Sequence, residues 1–141
     1  MKEIPTVLFC LSALVAASAD APLKVVQVQL PFAPDADELV IRTDREWQSF
    51  VSQRSTGAPA PCAWATRMLV AARPADGTSG CAEPPSGIRV EVVEGRYVVS
   101  AWIAMAEGDC HAYFRPMAAA CVPQSATPPL FKSEHMILVA P

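Results

Sequence analysis

The chain carries two histidines, His111 and His135, and no close cysteine pair of the Cys-x-x-Cys kind. Zinc sites are usually built on such pairs, and neighbours such as Cys110 and His111 do not easily reach one ion, so no metal site is expected. Only these two imidazoles could act as the base in Ser-His-Asp chemistry. Charge is scarce too. Asp, Glu, Lys and Arg make up 18% of the residues, the net charge is −3, and the arginines form no run. Nothing here is an electrostatic footprint for nucleic acid or an anionic membrane. Beyond the N-terminus no apolar run is long enough to cross a bilayer, which takes roughly 20 residues.

What the sequence does have begins with its first nineteen residues. Lys2 gives a short basic start, Thr6 to Ala17 is an apolar run, and Ala17-Ser18-Ala19 supplies the small-x-small pattern of a signal-peptidase site. Residues 1–19 read as a signal peptide cleaved before Asp20, and residues 20–141 as one domain of ordinary size. The expected location is the periplasm or the medium. Leu8-Phe9 precede Cys10 where a lipobox would carry small residues, so no lipid anchor is expected, and no membrane insertion after cleavage. Cys62, Cys81, Cys110 and Cys121 remain. In an exported chain they suggest two disulfides, with three connectivities to choose from.

Alternation of Val26, Val28 and Leu30 predicts a first strand over Lys24–Leu30, closed by Pro31–Asp35. Glu38–Arg42 reads as a second. Thr43 and Glu46 have capping-box spacing, and Trp47, Phe50 and Val51 follow at helical intervals as a buried face. Ser55–Pro61 ends that helix. The unbroken apolar run Met68–Ala72 predicts a strand covered on both faces. Pro74–Gly87 reads as a loop. Ile88, Val90 and Val92 alternate with polar partners, Glu94-Gly95 is a tight turn, and alternation resumes from Tyr97 to Met105, a hairpin pattern. Glu107–Ser133 shows no clear period and reads as a long loop needing a staple, with Cys110 and Cys121 inside it. His135–Ala140 is a last strand. The sum is an α+β domain, a mostly antiparallel sheet with one amphipathic helix packed on it and disulfide-stapled loops.

In this order the pieces resemble the PrcB C-terminal-like domain. Leu39-Val40-Ile41-Arg42 leading into Glu46-Trp47 is similar to its strand-to-helix passage, and Met68–Ala72 followed by Arg73-Pro74 and Gly77-Thr78-Ser79-Gly80 to its next strand and glycine loop. Ile88–Ala101 resembles its long hairpin and His135–Val139 its closing strand. The resemblance covers about residues 38–141. It implies a non-enzymatic exported domain, an accessory to a protease complex, with no cofactor.

Gly77-Thr78-Ser79-Gly80-Cys81 looks superficially like a protease nucleophile segment, but only His111 and His135 could serve Ser79, and a glycine turn explains it more simply. Asp35, Asp37 and Glu38 read as a solvated turn, and Glu83 has no evident partner for carboxylate-pair chemistry. No catalytic residue is assigned. Trp102 lies on the hairpin face opposite Tyr97 and is either an exposed anchor or covered by another element. Tyr113-Phe114-Arg115 in the long loop form a second candidate contact segment. For the disulfides, the hairpin returns Cys110 to the end where Cys81 lies. This favours Cys81–Cys110 with Cys62–Cys121: if the Met68–Ala72 strand pairs antiparallel with the hairpin, Cys62–Cys81 would have to span a whole strand, while Cys110–Cys121 stays sterically open. Two functions remain: an exported accessory domain acting by protein–protein contact, with a secreted or envelope protease as a candidate partner, or a small periplasmic inhibitor of a hydrolase that plugs an active site with a stapled loop.

Overall fold

The structure is a computed structural model and describes residues 23–54 and 57–133. The expected signal peptide and the expected strand at His135–Ala140 lie outside those residues. The elements run β1 (Val26–Val28), β2 (Glu38–Ile41), α1 (Asp44–Ser52), β3 (Arg67–Ala72), β4 (Thr78–Gly80), β5 (Ser86–Val93), β6 (Arg96–Ile103), β7 (Ala112–Phe114), β8 (Ala118–Pro123) and β9 (Leu130–Ser133). They form a four-stranded antiparallel sheet in the order β1-β8-β3-β2, a three-stranded sheet β5-β6-β9 and a two-stranded ribbon β4-β7. Every pairing is antiparallel except β6 with β9.

The fold follows from where apolar side chains can be hidden. In β3 the residues from Met68 to Ala72 are all buried, as an unbroken apolar strand requires. Met68, Val70 and Ala72 on one face join Ala120 and Val122 of β8 and Ile88, Val90, Tyr97, Val99 and Ala101 of the hairpin in one cluster, which draws the two larger sheets together. Leu69 and Ala71 on the other face join Ala119 and Cys121, Trp47, Phe50 and Val51 of α1, and Cys62. Thr43 is the N-cap of α1: its hydroxyl accepts from the Glu46 amide at 3.2 Å and donates to Glu46 Oε1 at 3.1 Å. The cap thus satisfies a helix-end amide that would otherwise be orphaned. The hairpin has the two-residue turn its sequence indicates. Glu94 and Gly95 both take positive φ, 52° and 74°, between the paired residues Val93 and Arg96. That is the geometry that matches the twist of the flanking strands.

Three expectations need correction. Glu107–Ser133 is not a loop; it contains β7, β8 and β9. β8 is an inner strand, but Ala118-Ala119-Ala120-Cys121-Val122 offers neither alternation nor β-branched residues until Val122, so it carries no strand signature. Pro74–Gly87 contains β4 and the start of β5. And β3 pairs with β2 and β8, not with the hairpin.

The two disulfides join Cys62 to Cys121 and Cys81 to Cys110, with Cα separations of 5.7 and 4.6 Å. Cys110 and Cys121 therefore do not staple one loop to itself. The first bridge ties the segment before β3 to the middle of β8, where Cys121 sits opposite Leu69. The second closes the β4-β7 ribbon, helped by the Cys81 amide, which donates to the Glu107 carbonyl at 2.8 Å.

Candidate functional site

The β1–β8 ladder ends at the pair Val28–Ala119. Beyond it the two chains diverge, and the mouth they leave is a groove of about 580 Å³. Gln27–Leu30, Phe32 and Ala33 line one side and Pro116–Ala119 the other. Ser86 and Gly87 at the start of β5, with Glu83 before it, complete the lining. The Gln27 side-chain amide donates to the Ile88 carbonyl at 3.4 Å, so β1 and β5 approach beside the groove. The surface is mixed: Leu30, Phe32 and Met117 are half-buried apolar side chains, Gln29 is an exposed polar one, and Glu83 is the one charged side chain among the described residues of the lining.

Trp102 borders this groove indirectly. It pairs with Gly87 across the hairpin, and a Cβ at Gly87 would meet three atoms of the indole ring at 3.0 Å. A glycine inside a strand leaves a gap, and an aromatic on the facing strand can fill it. Trp102 is half-buried and its ring lies over the Gly87 backbone.

The segment Tyr113-Phe114-Arg115 divides. Tyr113 is 64% exposed, the most exposed of the large apolar side chains described, and its hydroxyl accepts from the Gly77 amide at 3.1 Å. Phe114 is half-buried. Arg115 is engaged as a clamp: its Nε donates to the Pro74 carbonyl at 2.8 Å and its Nη1 lies 3.2 Å from Asp37 Oδ1. Arg73 reaches the same turn, donating to the carbonyls of Ala36 and Pro34 at 2.7 and 2.8 Å. Asp37, read from the sequence as part of a solvated turn, therefore sits between two arginines. An exposed pair of this kind is worth under about 1 kcal/mol, so the geometry matters more than the charge. The clamp fixes the chain just ahead of Pro116, where the groove wall begins.

Ser79 is exposed in the middle of β4, paired with Tyr113, and His111 is exposed just after Cys110. His135 lies outside the described residues. Among the described residues no group of three or more His, Cys, Asp or Glu side chains is placed to hold a metal ion, and no helix is long and apolar enough to cross a membrane. Trp64 Nε1 is buried with no hydrogen-bond partner among them.

The groove was missed in the sequence because its walls come from segments far apart in the chain, and Pro116–Ala119 belonged to a stretch read as loop. No local signal marked that wall: Met117–Val122 stands between Pro116 and Pro123, but its three alanines give little hydrophobic or strand preference. Comparison of the chain with family models, with curated proteins and with solved structures returns no match.

Proposed function

We propose that the protein is an exported, non-enzymatic domain that works by protein–protein contact, and that the groove at the open end of the β1–β8 ladder is its contact surface. The observation that carries this reading is the groove, a concavity with apolar side chains for contact and a few polar groups for orientation, as binding sites generally have. Two disulfides suit an extracytoplasmic compartment. We read α1 as packed on the outer face of the four-stranded sheet through Trp47, Phe50 and Val51, which would give the groove a rigid backing. The resemblance to the PrcB C-terminal-like domain suggests a secreted or envelope protease as the partner.

A second reading is favoured by the β4-β7 ribbon. It is closed by Cys81–Cys110 and presents the exposed Tyr113, the form of a small inhibitor that places a braced segment in a hydrolase active site. Co-purification from the exported fraction separates the two. Ala33 is an exposed lining residue, so Ala33→Trp fills the groove without entering the core. A protein held by the wild type and lost with Ala33→Trp supports contact through the groove. Equal retention by both, with loss on Tyr113→Ala, supports the inhibitor and refutes the groove.

A further inference from the structure

We propose that the occupant of the groove is an extended polypeptide segment of a partner, added as a strand at the opened β1–β8 ladder, with a lysine or arginine facing Glu83. The proposal rests on the contact reading of the groove and names what enters it.

Four consecutive residues on each side, Gln27–Leu30 and Pro116–Ala119, line the groove. Gln27, Val28, Ala118 and Ala119 are the last residues of β1 and the first of β8, while Gln29, Leu30, Pro116 and Met117 lie just outside those strands, so the groove is met where the two segments leave the sheet. The ladder formed by these two segments stops at Val28–Ala119, so past that pair they no longer bond to each other. The third wall is also an edge: among the described residues β5 is the outer strand of β5-β6-β9. An edge of this kind is a template for pairing with another chain, and extended peptides use it in a recurring mode of recognition.

The side chains select the kind of segment. Leu30, Phe32 and Met117 can receive apolar side chains at alternate positions of an extended peptide, while Gln29 and Ser86 accept polar ones. Among the described residues Glu83 is the only charge on the lining, and the protein as a whole is net negative. A cation is therefore favoured over an anion at that point. A second copy of this chain is the competing occupant, since edges can pair with their own kind.

The test uses the whole mature protein and short synthetic peptides of alternating valine and threonine, with lysine, glutamate or proline at the centre, read by titration calorimetry. The lysine peptide should bind about two- to fivefold tighter than the glutamate peptide, the range of a solvent-exposed ion pair. Glu83→Lys should invert that order. The proline peptide should bind roughly five- to tenfold more weakly than the lysine peptide, because proline lacks the backbone donor of a strand. Hydrogen exchange should slow at residues 28–30 and 117–119 when the lysine peptide is bound. Absence of binding by all three peptides, or equal binding by all three, overturns the proposal. Sedimentation that shows self-association lost with Ala33→Trp also overturns it, assigning the groove to a second copy. If the peptides fail but Ala33→Trp still releases a captured protein, the contact reading stands and strand addition falls. If Ala33→Trp releases nothing, the contact reading falls whatever the peptides do.

Discussion

The two disulfides should differ sharply in reactivity and modestly in how much they stabilise. Cys81 and Cys110 are both exposed, whereas Cys62 and Cys121 keep only 7% and 2% of their surface in contact with solvent. Thiol–disulfide exchange needs an attacking thiolate to reach a sulfur atom, so access decides the order. A dithiol reductant under native conditions should open Cys81–Cys110 first and leave Cys62–Cys121 intact until the fold opens. The sequence separations are 29 and 59. In the chain-entropy model, closing such loops stabilises by about 3.6 and about 4.2 kcal/mol respectively. These are large shares of the roughly 5–15 kcal/mol that holds a typical domain together. Unfolding entropy of about 2.1 cal/mol/K per residue converts 4.2 kcal/mol to a fall in Tm on the order of 15 °C for a chain of this size. The paired substitution Cys62→Ala with Cys121→Ala also removes sulfur from a buried cluster, so its fall should be at least that large. Cys81→Ala with Cys110→Ala should lose less, because the ribbon it closes has only three residue pairs and lies outside both apolar clusters. Timed reduction, alkylation of the freed thiols and peptide mapping give the order, and calorimetry of the two double variants gives the magnitudes. Labelling of Cys62 and Cys121 before Cys81 and Cys110 would refute the reasoning. So would a Cys62/Cys121 variant melting within a few degrees of the wild type.

Four other outcomes are expected. Burial raises the pKa of the Tyr97 hydroxyl, with Arg67 opposing in part, and that hydroxyl donates to the Pro123 carbonyl at 2.8 Å. Its stabilising contribution is present below the unfolded tyrosine value of about 10 and is lost as pH rises through the higher folded value. Tyr97→Phe should cost about 1 kcal/mol at neutral pH and flatten the alkaline decline in stability, as urea unfolding at several pH values will show. Gly87→Ala should displace the Trp102 ring and destabilise by about 1–2 kcal/mol, with a changed indole emission spectrum; an unchanged spectrum would contradict the packing of that ring over the strand. Thr43→Ala should cost about 1 kcal/mol in thermal unfolding through loss of the N-cap. Intact-mass measurement of the exported protein should give a chain starting at Asp20 without acyl groups.

The parts of the fold that could be read from the sequence are those whose burial leaves a periodic or one-sided trace. β5 alternates because one of its faces is buried, the hairpin turn carries glycine where φ is positive, and α1 has a cap followed by apolar residues at helical spacing. β3 was legible as an unbroken apolar run. The inner strand β8 was not, although it is nearly as buried as β3, because three alanines give little hydrophobic signal and low strand preference. Small residues there lie between two apolar clusters, so the packing that makes them suitable is invisible in a single chain segment. Missing β8 also placed Cys121 in a loop. The favoured disulfide pairs nevertheless match those in the structure, since Cys81 and Cys110 do meet beside the return of the hairpin. The reasoning about Cys62 used a pairing of β3 with the hairpin that does not occur. Of the candidate contact residues, Trp102, Tyr113 and Arg115 each contact the fold, and Tyr113 is the most exposed of the three. Exposure depends on what tertiary structure brings against each residue, and local sequence says nothing of that.

The central claim is that this domain acts by contact through its groove. Site-specific photo-cross-linking in the exported fraction tests it most directly, with the reactive group placed at Met117 in the groove wall and, for comparison, at the exposed Arg45 of α1. The account predicts a discrete adduct from Met117 that is suppressed by Ala33→Trp, and none from Arg45. Identical labelling from both positions, or an adduct from Met117 that Ala33→Trp leaves unchanged, would contradict it.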